Sequence, residues 1–227
     1  MNIGIIVFPG TWSDRDCEFA LSSFKNVKTF FIWHKESIPK NIDAVILPGG
    51  FSYGDHLRAG AIAQFSLVMK DVFQLNQKGS PIIGICNGFQ ILCEAGILPG
   101  ALIRNKNLKF NCSFVNLKYK KSKKFTSSIP KNKILKIPIS HGEGNYQADK
   151  NTLNMLKEND QIAFQYCSES GVINDDANPN GSVNNIAGIY NKNGNVLGMM
   201  PHPERSCSID LGSEDGNLIF KSMIKSF

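Results

Sequence analysis

PIIGICNGFQIL, residues 81–92, is the stretch on which the reading of this chain turns. The apolar run from Pro81 to Ile85 reads as a short buried strand, and Asn87 to Leu92 carries a helical pattern, so Cys86 stands at a strand-to-helix corner. Gly84 and Gly88 bracket it as Gly-x-Cys-x-Gly, the thiol counterpart of a nucleophile elbow, where small residues let the backbone turn sharply enough to expose a side chain. At a helix N-terminus, unpaired amide groups and the helix dipole favour the thiolate. A cysteine that merely fills core volume is the common alternative, but it has no need of two flanking glycines.

Outward from the elbow, strand and helix alternate. Ile3 to Phe8 is a continuous apolar run closed by Pro9 and Gly10, as expected of a strand buried on both faces of a parallel sheet. Asp14 to Phe24 reads as a helix capped by Ser13 or Asp14, Val27 to Trp33 as a second strand and Ala44 to Leu47 as a third. PGGFSYGD (48–55) and a helical pattern from about Ala59 to Leu75 follow, and Gly96 is a plausible stop for the elbow helix. This order predicts an α/β fold with a doubly wound, mostly parallel sheet, helices on both faces, and working groups at the carboxyl ends of the strands.

From about Asn105 the apolar stretches shorten: Phe110 to Leu117, Lys133 to Ile139, Gln161 to Cys167, Ile186 to Tyr190 and Val196 to Met200. Asn193-Gly194 between the last two is a hairpin signal, so a smaller antiparallel section is expected in the second half. Asp175 to Ser182 is a polar, turn-rich loop, and Asp215 to Ile224 reads as a closing helix. No repeat and no linker-like composition interrupts the 227 residues, and one domain spanning 1–227 is expected.

Composition excludes several function classes. No apolar run reaches membrane-spanning length, and MNIGIIVFPG lacks the charged start and cleavage site of a signal peptide. The six cysteines show no CxxC pair and no zinc-like spacing with the four histidines, so no metal site is expected and a cytoplasmic setting with reduced thiols is. The net charge of +6 comes largely from lysines, with Lys118, Lys120, Lys121, Lys123 and Lys124 close together. Only Tyr119 and Phe125 lie nearby, so a solvated loop or strand edge is a better account than a nucleic-acid patch.

A cysteine nucleophile needs a base, and His202 has the most suggestive surroundings. In MPHPER (200–205) each residue before a proline is pushed toward extended geometry, so Met200 and His202 are expected to be extended. Residues two apart then face the same way, which puts the Glu204 carboxylate beside His202 to hold its tautomer and stabilise the imidazolium. A turn-forming Pro-x-Pro with a surface His and Glu is the bland account of the same letters. His34 and His56 have no comparable support, and Cys93, two helical turns after Cys86, reads as a small core residue.

GICNGFQ with a distant His-Pro-Glu resembles the class I glutamine amidotransferases, which release ammonia from glutamine through a cysteinyl thioester. The likeness is closer to the glutaminase subunits of phosphoribosylformylglycinamidine synthase, an enzyme of purine synthesis. It is carried by FPG, PGGFSYGD with LRAGAIA (48–63), GICNGFQIL, GILPGAL (96–102), RNKNLKF (104–110), ISHGEGNY (139–146), NPNGS (178–182), IAGI (186–189) and GNVLGMMPHPER (194–205), which run almost end to end. The resemblance implies that Cys86 is the nucleophile, His202 the general base and acid, and Glu204 its orienter. It further implies an oxyanion hole made by the backbone N–H groups of Asn87 and Gly50. Glycine at that turn would let the backbone approach the reacting carbonyl with no side chain in the way. Gln90 matches a position that contacts substrate glutamine, and the segment Ser140, His141, Gly142, Glu143 matches one that lines the pocket.

The chain departs from this pattern at Thr11-Trp12-Ser13, where an Asn-Cys pair is common, at His56, where tyrosine is usual, and in an extra loop from Glu169 to Asn178. The chain has no GxxxxGK[ST] phosphate loop, and its whole length is used by the glutaminase pattern. The resemblance therefore implies no cofactor in this chain. ATP and magnesium would be used by a separate synthetase subunit, joined by a small accessory subunit, with no nucleic acid and no membrane among the partners. Alternatives are a class I glutaminase with another acceptor, a cysteine hydrolase or deglycase on a similar sheet, and a silent scaffolding subunit.

Overall fold

A computed structural model of the chain describes residues 1–121 and 123–227. In chain order the strands are β1 (Asn2–Val7), β2 (Lys28–Trp33), β3 (Ala44–Leu47), β4 (Ile82–Ile85), β5 (Ala101–Ile103), β6 (Asn111–Tyr119), β7 (Leu135–His141), β8 (Asn145–Gln147), β9 (Ile162–Cys167), β10 (Ile186–Tyr190) and β11 (Val196–Met199). The helices are α1 (Asp14–Ser22), α2 (Leu67–Lys78), α3 (Asn87–Glu94), α4 (Lys150–Glu158) and α5 (Asn217–Ser226).

Nine strands form one sheet in the order β2-β1-β3-β4-β11-β10-β9-β6-β7, and β5 pairs with β8 apart from it. The first five of that order run parallel. From β11 onward each neighbour is antiparallel. Every residue of β3 and β4 is buried, as the unbroken apolar runs AVIL and IIGI require of strands covered on both faces. The antiparallel section is continuous with the parallel one, because β10 pairs with β11 through the Asn193-Gly194 turn.

Sheet order explains how distant segments meet. β4 and β11 are adjacent and parallel, with Ile85 opposite Met199, so their carboxyl ends open side by side although more than a hundred residues separate them in sequence. β3 lies on the other side of β4 and points the same way. β7 stands at the far edge of the sheet, yet the His202 N–H donates to Pro138 O at 2.8 Å, so the antiparallel half curls back over the end of β11.

Two elements differ from the sequence reading. The helix expected from about Ala59 begins only at Leu67, because Gly60, at φ +80°, lies against the backbone of Ile91 and the chain there must turn rather than coil. α4 was not expected at all. Its start is marked by Asp149, whose side chain accepts from the N–H groups of Asn151 and Thr152. Among the described residues no helix is long and apolar enough to cross a membrane.

Candidate active site

Cys86 occupies the corner between β4 and α3 with φ +50° and ψ −104°, a conformation that costs a non-glycine residue about 1–3 kcal/mol and persists only where the surroundings enforce it. Here they do. The Cys86 N–H donates to Met199 O at 2.8 Å and its carbonyl accepts from Gln90 N at 3.1 Å, so β11 and α3 fix the corner from both sides. A Cβ on Gly88 would stand 1.9 Å from Leu47 O, which shows how closely α3 rests on the end of β3. Cys86 is 5% exposed but lines two adjoining cavities, which also share Gly50, Phe51, Phe110 and Ser140.

The second cavity, about 220 Å³, also contains His202. His202 Nδ1 is 2.6 Å from Glu204 Oε1 and both side chains are buried. The expected extended geometry beyond His202 is not what joins them. Pro203–Arg205 form a single 3-10 turn, which brings the carboxylate back under the ring. Arg205 pins this turn to α1, donating from Nε to Asp16 Oδ2 at 3.1 Å and from its terminal nitrogen to Ser13 Oγ at 2.8 Å. Burial alone would lower the His202 pKa. The charges of Glu204 and Cys86, with the hydrogen bond to Glu204, outweigh it and lift the pKa to about 10. The Cys86 thiol itself meets hydrogen-bond geometry with Ser140 O, at 3.6 Å, and His202 Nε2 is left without a directed partner.

Gly50 and Asn87 both present backbone N–H groups that make no hydrogen bond among the described residues. Gly50 sits in a bridge to Thr11 in which Phe51 N donates to Gly10 O at 2.9 Å and Trp12 N to Gly49 O at 3.0 Å, leaving its own N–H outside the pairing. The reason for glycine differs from the expectation. A Cβ on Gly50 would meet Gly10 O at 2.6 Å and Trp12 N at 2.7 Å, so it is the neighbouring backbone that excludes a side chain. At Gly49 the excluded space belongs to the His202 ring, 2.7 Å from where a Cβ would lie.

The other cavity, about 330 Å³, joins Cys86 and Gly50 to Gln90, His141, Gly142 and Glu143. Gln90 donates to Glu143 O at 2.7 Å and accepts from Asn87 Nδ2 at 2.9 Å, so its amide is fixed. Both His141 ring nitrogens are engaged, Nδ1 with Asn105 Oδ1 at 3.1 Å and Nε2 with Asn180 Nδ2 at 3.4 Å. Burial, and then the charge of His202, press the His141 pKa down to about 4, so the ring acts as a neutral wall.

Of the charged residues of this cavity, sequence reasoning singled out Glu143 and missed the rest. Asp55 faces it with a pKa raised to about 6, first by desolvation and then by Glu143, and Arg104 and Lys109 bring opposite charge. Asn105 was also missed. It is fully buried, donates to Lys109 O and His141 O, and accepts from Gly144 N, holding the cavity wall together. The only signal for either was membership of an unusual polar block, SYGD or RNKNLKF.

Residues 1–213 match the family described as the CobB/CobQ-like glutamine amidotransferase domain. The class of the chain is therefore glutamine amidotransferase. Phosphoribosylformylglycinamidine synthase subunit PurQ of Chlorobium chlorochromatii is 51% identical over 227 residues, covering 100% of this chain and 97% of that protein. The protein of the same name from Salinibacter ruber is 47% identical, covering 98% and 95%. A chain in the structure of PurLQS from Thermotoga maritima superposes with a TM-score of 0.86 at 35% identity, covering 99% of this chain and 97% of that one. The chain belongs to the PurQ family. A further structure, a putative GMP synthase subunit from Thermoplasma acidophilum, shares the fold at a TM-score of 0.63 and 16% identity.

Proposed function

We propose that Cys86, His202 and Glu204 hydrolyse glutamine to glutamate and ammonia, and that the chain serves as the glutaminase subunit of phosphoribosylformylglycinamidine synthase. The observation that carries this reading is the buried His202–Glu204 pair, 2.6 Å apart, whose imidazole shares one cavity with Cys86 and with Gly50, the N–H of which is free among the described residues. Glutamine enters the 330 Å³ cavity with its side-chain amide toward Cys86. Its ammonium is held by the Asp55 and Glu143 carboxylates and its carboxylate by Arg104 and Lys109, charges of both signs as a zwitterion requires.

His202 carries the proton given up by Cys86, as the imidazolium that its raised pKa favours, and the sulfur adds to the amide carbon. The resulting oxyanion is held by the Gly50 and Asn87 N–H groups, each worth about 2.7–4 kcal/mol to the transition state. When the C–N bond breaks, the His202 proton leaves with the amine as ammonia and a thioester remains on Cys86. His202 then takes a proton from water, which cleaves the thioester to glutamate and restores the thiol. Glu204 keeps the imidazole oriented throughout.

Ammonia passes to a separate synthetase subunit, which converts formylglycinamide ribonucleotide to the amidine and to which ATP and magnesium belong. The relatives' names and the PurLQS assembly support this assignment. A cytoplasmic setting suits the six unpaired cysteines. The test is glutamate release with and without synthetase, ATP and formylglycinamide ribonucleotide. Wild type releases glutamate and Cys86→Ser does not, while still binding the synthetase. Full activity in Cys86→Ser would overturn the reading.

A further inference from the structure

The segment that carries Gly50 is conformationally demanding. Tyr53, Gly54 and Asp55 have φ of +55°, +69° and +52°, three successive residues in the left-handed region, two of them not glycine. Such a run holds its shape only if something outside it does the holding. Its backbone is tied to the β1–α1 turn, with Tyr53 N donating to Pro9 O at 2.7 Å, and to α3, with Ser52 N donating to Asn87 Oδ1 at 3.2 Å.

A third tie is made by side chains alone. The Tyr53 hydroxyl lies 2.7 Å from His34 Nδ1 and 2.9 Å from Ser66 Oγ, and Ser66 Oγ is itself 3.3 Å from the same ring nitrogen. Ser66 is the N-cap of α2, a position where a serine ordinarily bonds the first free N–H groups of its helix. It makes no such bond. The His34 carbonyl takes the N–H of Val68 at 3.1 Å instead, and the serine hydroxyl is turned to Tyr53. His34 is buried, its ring edge-on to Trp33 and Tyr53 with centroids 4.6 and 5.5 Å away, and burial and the charge of Lys35 hold its pKa below the ordinary histidine value. A neutral ring leaves Nδ1 able to accept the phenolic hydrogen.

We propose that His34, Tyr53 and Ser66 form a latch that positions the Gly50 N–H toward Cys86, making Tyr53 a positioning residue for the oxyanion. This rests on the glutaminase reading above. None of the three touches the cavities around Cys86, so their effect reaches the chemistry only through the loop. An interaction with the oxyanion exists only in the transition state, so loosening it lowers kcat, and the change in KM carried by Asp55 at the end of the same run is the smaller effect.

The experiment measures glutaminase kinetics in the complex with the synthetase subunit, together with the thermal midpoint of each variant. Tyr53→Phe and Ser66→Ala each lower kcat at least tenfold, with KM for glutamine within twofold and the midpoint within a few degrees of wild type. His34→Leu matches them, whereas His34→Asn, which keeps an amide near the Nδ1 position, recovers most of the rate. Unchanged kcat in Tyr53→Phe and Ser66→Ala overturns the latch, as does a rise in KM accompanied by a lowered midpoint in both. Cys86→Ser in the same assay separates the two claims. If it is inactive while Tyr53→Phe runs at full rate, the latch alone is wrong; if it is fully active, the glutaminase reading is wrong.

Discussion

The His202 imidazole and the Glu204 carboxylate form an ion pair 2.6 Å long with neither side chain open to solvent. Desolvation works against charge on the ring, and Glu204 is the first of the groups that reverse it. Replacing Glu204 by Gln keeps the volume and removes the charge. The His202 pKa then drops well below that of a Cys86→Ser parent that keeps Glu204, followed by NMR titration of the ring with both proteins in the Cys86→Ser background. In otherwise wild-type protein, kcat falls by roughly 10⁴, the loss typical when an orienting carboxylate becomes an amide. A His202 titration unmoved by Glu204→Gln would show that the carboxylate is not what sustains the imidazolium.

Asp55 gives the substrate cavity its own pH dependence. Desolvation and then Glu143 raise its pKa to about 6, so above that pH it is a carboxylate and below it a neutral acid that cannot pair with an ammonium group. KM for glutamine therefore climbs up to tenfold per pH unit below about 6, while the effect on kcat is smaller. Asp55→Asn raises KM at neutral pH and flattens this limb. Retention of the wild-type KM profile in Asp55→Asn would remove Asp55 from the ammonium site.

His141 links pH to stability. Its folded pKa of about 4 lies below the ordinary value of 6.5, so between those limits the unfolded chain binds the proton that the folded chain refuses. Stability contributed by the neutral ring is complete above about 6.5 and is lost as pH falls toward 4, by ~3 kcal/mol over the interval. Urea unfolding at several pH values measures it. His141→Gln, which can keep the bond to Asn105, shows a shallower loss than wild type across the same range, and parallel curves would contradict the assignment.

The elbow was legible because its signal is local: an apolar strand, a cysteine and two glycines in seven residues fix both the corner and the thiol's place on it. His202 and Glu204 were legible as a pair, although the turn that joins them was not, since the prolines report restricted backbone and not which turn follows. The meeting of His202 with Cys86 is a property of sheet order, with β4 beside β11, and no local pattern encodes it. Asp55, Asn105 and His34 were hidden for the same reason. Asn105 reads as a loop residue until its four hydrogen bonds to the 109–144 region are seen, and His34 until Tyr53 and Ser66 close on it from later segments.

The resting thiol makes its directed contact with a carbonyl, in the cavity it shares with its base. Cys86 Sγ is directed at Ser140 O, 3.6 Å away, while His202 Nε2 has no directed partner. Ser140 belongs to β7, the same strand whose Pro138 O holds the His202 backbone, so a small shift of that strand acts on nucleophile and base together. A glutaminase that stayed active alone would waste glutamine. The isolated chain is therefore expected to release glutamate slowly, with kcat rising at least tenfold when the synthetase, ATP and formylglycinamide ribonucleotide are added. Equal rates with and without the synthetase would rule out this coupling. A rate that rises while Cys86→Ser stays inactive ties the gain to this thiol.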